Sequence, residues 1–255
     1  MKRKITTVLL MSLIMAFSFL MPSYASTQTF EQPQEEYLNA FLRERGVPYD
    51  VIDTMTLGQK LFIYEDLKNE TNANFSFFFE EDVSFDNDKR GIPKTDLSLT
   101  ATGFTMITNN ELLYIIYPTF KWLKHSVNIN NDRFAFNLNE RNWEIAAGNV
   151  QINIHGRTMA GHTTTGLIDR PTTILPGGAT FNLICGVSAG VTYEGYAVFR
   201  ARPRVANPPY EIVLAYAHDR SIFNNSSISL NVGILSLSFS GGSNVIQTSQ
   251  ILRWR

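Results

Sequence analysis

Four histidines, His125, His155, His162 and His218, are the first place to look for chemistry in this 255-residue chain. None lies in an HExxH pattern, and a single cysteine, Cys185, excludes any CxxC pair. His155 and His162 stand seven positions apart across a glycine-bearing turn, too few donors for a metal that needs three or four. His218-Asp219 suggests a proton relay, but no GxSxG nucleophile elbow accompanies it, and Ser126 and Ser188 have no activating context. The acidic run Glu80, Glu81, Asp82, Asp86 and Asp88 lacks the calcium-loop spacing and reads as a solvated linker. Cys185, in Phe181-Asn182-Leu183-Ile184-Cys185-Gly186-Val187, has the apolar surroundings of an inert buried thiol. These residues nominate no catalytic site, no metal site and no cofactor site. The expectation is a protein that is not an enzyme and needs no cofactor.

Two other sets of residues suit binding. Arg200, Arg202 and Arg204 alternate along a strand end and so share a face, as an anion site or as an edge that resists aggregation. Trp122, Trp143 and Trp254, with Tyr114, Tyr117, Tyr193, Tyr196 and Tyr210, could form a carbohydrate-stacking surface, or simply pack a β core.

Residues 1–25 have the form of an export signal. Lys2, Arg3 and Lys4 make a basic start, Val8 to Met21 an apolar stretch, and Ser23-Tyr24-Ala25 a small-x-small site for cleavage before Ser26. The apolar stretch is shorter than the ~20 residues a spanning helix needs. The mature chain is therefore expected outside the cell, freely released, and the signal suggests a Gram-positive bacterium. Cleavage removes three positive charges from a chain of net charge −1, leaving −4. That excludes nucleic acid as a natural partner and argues against simple attraction to anionic membranes.

The elements that would carry any site follow from periodicity. Tyr37, Leu38, Phe41 and Leu42 make one apolar helical face, which Gly46 ends. Asp50 to Met55 reads as a short helix. Thr56 with Gln59 makes a capping box for a third helix bearing Leu57, Leu61, Ile63, Tyr64 and Leu67. From about residue 97 the pattern is β throughout: Phe104–Ile107, Leu112–Tyr117, Ser126–Ile129, Arg133–Leu138, Val150–Arg157, Thr180–Cys185, Thr192–Arg200, Glu211–His218, Ser227–Phe239 and Val245–Trp254. Asn109-Asn110 and Gly241-Gly242 are expected hairpin turns, 161–178 a long binding loop, and Pro118, Pro203, Pro208 and Pro209 turn or edge positions. The expected organisation is a helical region over 26–72, a linker over 73–96, and an antiparallel β-sandwich or barrel-like domain over 97–255.

Residues 227–239 alternate apolar and small polar side chains, with a slip at Gly233-Ile234 that suits a β-bulge. They read either as a long sandwich strand or, paired with 245–254, as a hairpin, uncharged until Arg253, able to line a membrane pore.

The stretch Gly46-Val47-Pro48-Tyr49-Asp50-Val51-Ile52-Asp53-Thr54-Met55, followed by Gln59 to Leu67, resembles segments of secreted proteins of Gram-positive bacilli. The overall format is similar to the geobacillin-type large bacteriocins. That resemblance implies a secreted antibacterial protein acting on related bacteria, by membrane permeabilisation, with the target-cell envelope or membrane as partner and self-association possible. The alternative is a secreted, non-catalytic cell-wall or carbohydrate-binding β-sandwich, and a secreted hydrolase of unfamiliar type comes third.

Overall fold

The computed structural model describes residues 34–79, 83–84, 91–124, 132–146, 150–158, 163–169, 171–183, 191–219, 227–230, 237–240 and 245–253. The chain divides into Met1–Pro33 and Gln34–Arg255, and every described residue belongs to the second unit. The export signal, Cys185, His125, His162, Ser126, Ser188, Trp254, the acidic run 80–88 and the expected strand Ser126–Ile129 lie outside the described residues.

Among the described residues three helices come first: α1 (Glu35–Glu44), α2 (Tyr49–Thr54) and α3 (Leu57–Leu67). Thr56 caps α3 as its sequence predicts, its Oγ1 accepting from the Gln59 N–H at 3.3 Å. Gly46 ends α1 at φ +84°, a value that glycine adopts without strain.

Fifteen strands follow: β1 (Asn74–Phe79), β2 (Val83–Ser84), β3 (Leu97–Thr108), β4 (Glu111–Trp122), β5 (Asp132–Asn137), β6 (Trp143–Ile145), β7 (Gln151–Thr158) and β8 (Thr163–Asp169), then β9 (Thr173–Leu175), β10 (Gly178–Leu183), β11 (Val191–Pro203), β12 (Glu211–Asp219), β13 (Ser227–Leu230), β14 (Leu237–Ser240) and β15 (Val245–Arg253). The first sheet runs β1-β3-β4-β11-β7-β8, with β6 also on β11; the second runs β2-β15-β12-β5-β10-β9. All named strand pairs are antiparallel. The fold is a β-sandwich, not a closed barrel. Its core joins Phe120, Phe199, Ile152 and Ile154 of the first sheet to Phe134, Phe136, Phe181 and Leu214 of the second.

Where the helices lie over it, the first sheet is buried on both faces. On its outer side Phe104, Ile115, Tyr117, Tyr196 and Val198 pack against Leu42, Ile52, Phe62, Ile63 and Leu67 of the helices. A strand covered on both sides reads as a continuous apolar run, as Leu113 to Tyr117 does. Asp66 locks the layers together: its carboxylate accepts from Tyr117 Oη at 2.6 Å and from Arg200 Nη2 at 3.2 Å.

Several expectations are corrected. Residues 74–79, expected in a linker, form an edge strand on β3, where Phe77 joins the inner core and Phe75 packs on the outer, helix-covered face. Residues 161–178, expected as a loop, contain β8 and β9. Pro118 sits in β4, between β3 and β11, rather than at an edge. Tyr117 and Pro118 have no ladder partner on β11, which fits a residue with no N–H to donate. The Asn109-Asn110 turn stands, with φ of +50° and +63°, the conformation of a tight hairpin.

The pore hairpin does not form as expected. β13 pairs with β14, so the chain reverses between Leu230 and Leu237 and the run is not one bulged strand. β15 pairs with β12 along its full length, which removes 245–254 from any hairpin with 227–239. The turn expected at Gly241-Gly242 lies outside the described residues. Ile228 packs over Ala135, Ala215 and Ala217, on the outer face of the second sheet.

Candidate functional site

The aromatic residues singled out by sequence are mostly core. Trp143, Tyr117 and Tyr196 are fully buried, and Trp122, Tyr114 and Tyr193 nearly so. Tyr114 and Trp143 meet edge-to-face at 5.1 Å, with Tyr210 tilted against both, and Trp143 Nε1 donates to the Pro209 carbonyl at 3.0 Å. Burial raises the Tyr114 and Tyr196 hydroxyls well above the ordinary phenol range, so both stay protonated. They offer no stacking surface.

The exposed aromatic rings are elsewhere. Tyr37 is 54% exposed and Tyr49 is 68% exposed, both on the helical layer. Tyr37 rests edge-on against Tyr64 at 5.6 Å, and Tyr64 in turn against Phe41 at 4.9 Å. The Arg45 guanidinium covers the Phe41 ring at 3.6 Å from its centroid. Tyr49 is held by Arg43, whose Nη1 donates to Tyr49 Oη at 3.1 Å while the guanidinium stands 5.4 Å from the ring centroid. Arg43 is itself tied to α1 by a bond from Nε to the Asn39 carbonyl at 3.3 Å. A large ring fixed in an exposed position loses little freedom on binding, and its flat apolar face beside polar donors suits a sugar ring.

Sequence reasoning missed Tyr49 and placed Tyr37 on a core face. In α2 the buried residues are Val51 and Ile52. At about 100° per residue, Tyr49 lies about 110° around the axis from the midpoint of Val51 and Ile52, on the flank of the buried face, so spacing alone did not mark it as exposed.

The three arginines are engaged by this chain's own carboxylates. Arg200 bonds Asp66 at 3.2 Å, Arg202 bonds Glu111 at 3.0 Å, and Arg204 stands 3.9 Å from Glu144. β11 lies inside the sheet between β4 and β7, so neither an edge role nor an open anion site describes them.

The relay suggested at His218-Asp219 also resolves differently. His218 Nδ1 meets Asp132 Oδ1 at 2.7 Å, and Tyr216 donates to the other oxygen of that carboxylate. Trp122 Nε1 donates to Tyr216 Oη at 3.0 Å. Asp132 and His218 are 0% and 2% exposed, so the network is interior and closed to substrate. His155 lies on β7, in the other sheet from Asp132 and His218, directly opposite Glu194 on β11. Burial lowers its pKa, an effect the Glu194 carboxylate partly offsets. Among the described residues no three His, Cys, Asp or Glu side chains gather as metal ligands.

Glu194 belongs to the joint between helices and sheet. Thr56 Oγ1 donates to Glu194 Oε1 at 3.1 Å and lies 2.6 Å from Tyr196 Oη. A Cβ on Gly58 would fall 2.9 Å from that hydroxyl, so the first turn of α3 sits directly on these two side chains.

No protein-family profile matches the chain, and no characterised relative does. Among solved structures it is similar to the C-terminal domain of the Streptococcus agalactiae AgI/II polypeptide BspA, at 7% identity and a TM-score of 0.30, covering 63% of this chain and 60% of that one. A BspA C-terminal variant matches at 7% identity and 0.29, covering 63% and 56%. A structure titled for pH-induced modulation of Streptococcus parasanguinis adhesion by Fap1 fimbriae matches at 10% identity and 0.31, covering 69% and 94%. The chain thus spans about three-fifths of the length of the BspA domains. Likeness at this level is too slight to bear on function.

Proposed function

We propose that this protein is an extracellular, non-catalytic binding protein whose helical layer meets the carbohydrate of a bacterial cell wall. The observation that carries the reading is Tyr49, two-thirds exposed and fixed by Arg43 rather than left free on the surface. Tyr37, propped on Tyr64, supplies a second ring on the same layer. The export signal in residues 1–25 supports an extracellular site of action. The described residues contain no helix long and apolar enough to cross a membrane.

The test is co-sedimentation of the mature chain, residues 26–255, with purified peptidoglycan. The protein should move to the pellet and be released by soluble wall fragments. Retention in the supernatant would sink the proposal. Zones of inhibition around the purified protein, without wall binding, would favour the antibacterial reading instead.

A further inference from the structure

The outer face of the first sheet continues beyond the helices as a polar surface. Its register places His155, Glu194, Lys121 and Ser98 in one row across β7, β11, β4 and β3. Asn153, Tyr196, Thr119 and Thr100 make the next row. The N-terminal turn of α3 stands over Tyr196 and Glu194 as a wall, with Leu57 exposed on that turn.

Among the polar atoms of this sheet left without a partner, Asn153 Oδ1 and His155 Nε2 lie on β7, both shut off from solvent. They are two residues apart on β7 and so point to the same side. Native folds rarely leave such atoms unpaired, because a buried acceptor without a donor costs free energy. His155 also sits where the β7–β8 register shifts, between Ile154 and Gly156, and a bulge of this kind re-aims a side chain. Burial keeps the ring neutral at neutral pH. The adjacent Glu194 carboxylate is a further acceptor, engaged by Thr56 at Oε1 and by the Tyr196 hydroxyl, with lone pairs to spare.

The open hydrogen-bonding capacity is mixed: Asn153 Oδ1 and the Glu194 carboxylate accept, His155 Nε2 donates or accepts according to its tautomer, and a hydroxyl can meet either. Glu194 faces Lys121 across the strands, so the surface carries balanced charge and favours neither an anion nor a cation. We infer that Asn153, His155 and Glu194 form a second binding site, beside the first turn of α3, for an uncharged hydroxyl-rich ligand such as the adjacent hydroxyls of a hexose. This deepens the carbohydrate-binding reading, but it concerns residues away from Tyr37 and Tyr49 and is tested apart from them.

The experiment uses the mature protein and a panel of neutral monosaccharides, including glucose, galactose and N-acetylglucosamine, with glucosamine as the charged control. Binding is read by calorimetry and by shifts of the His155 ring resonances. At least one neutral sugar should bind and move those resonances. Asn153→Leu and His155→Phe should each weaken that binding about tenfold while leaving the unfolding midpoint unchanged or raised, since each removes a buried polar atom that has no partner in the free protein. No binding by any neutral sugar would overturn the inference, as would preference for glucosamine. A lowered midpoint with unchanged sugar affinity would show a purely structural role and overturn it too. Wall sedimentation lost in Tyr49→Ala but kept in Asn153→Leu would leave the proposed function intact whatever the sugars show.

Discussion

Asp132 on β5 and His218 on β12 meet inside the sandwich at 2.7 Å, although 86 positions separate them in the chain. Asp132 also accepts from Tyr216, which in turn accepts from Trp122. One carboxylate thus satisfies two buried side chains directly and a third through Tyr216. Replacing it by alanine strands the His218 and Tyr216 polar atoms in the core, at about 1–3 kcal/mol for each. Asp132→Ala should therefore lower stability by about 3 kcal/mol or more in urea unfolding. A loss below about 1 kcal/mol would show that the network does not hold the sheet.

Asp66 is the corresponding joint between helices and sheet. Its side chain is 13% exposed and that of Arg200 18%, so the pair is largely screened from water. Asp66→Ala should cost about 2–3 kcal/mol, because Tyr117 and Arg200 both lose an acceptor. Amide exchange in α3 should rise before exchange in β4 and β11, since the helices would open first. Equal acceleration in all three elements would contradict that order.

Gly195 lies opposite Phe120 on β4, and a Cβ there would fall 2.2 Å from the ring edge. Phe120 is fully buried at the centre of the core and cannot swing into solvent. Gly195→Ala should destabilise by about 1–3 kcal/mol through overpacking. A neutral result in thermal unfolding would show that the ring has room to yield.

These cases mark what the sequence could and could not convey. The helices and most strands were legible, because alternation and 3.6-residue periodicity are local. The Asn109-Asn110 turn was legible for the same reason. Partners were not: Thr56 bonds Tyr196 at a separation of 140 residues. The doubly covered first sheet hid the fate of its aromatic residues, since Tyr117 and Tyr196 are buried by helices that lie over them from elsewhere in the chain. Residues 227–240 fooled the reading because a hairpin folded over a sheet and a long amphipathic strand share one alternating pattern.

His155 gives a pH dependence of known sign. Its folded pKa lies below the ordinary imidazole value of about 6.5, held there by burial. The unfolded chain then takes up the proton first as pH falls. The stability linked to this ring is complete above about pH 6.5 and is lost as pH falls toward the folded value. Unfolding midpoints followed from about pH 8 to about pH 5 should fall more steeply in the native protein than in His155→Phe. Parallel profiles would place the ring in water.

The central claim is that rings fixed on the helical layer hold the wall. Sedimentation isotherms of native protein, Tyr49→Ala and Tyr37→Ala on purified peptidoglycan test it most directly, with unfolding midpoints measured alongside. The account predicts saturable binding by the native chain, about tenfold weaker for Tyr49→Ala, equivalent to about 1.4 kcal/mol, with folding unchanged. Equal binding by all three proteins, or no binding by any, would contradict it.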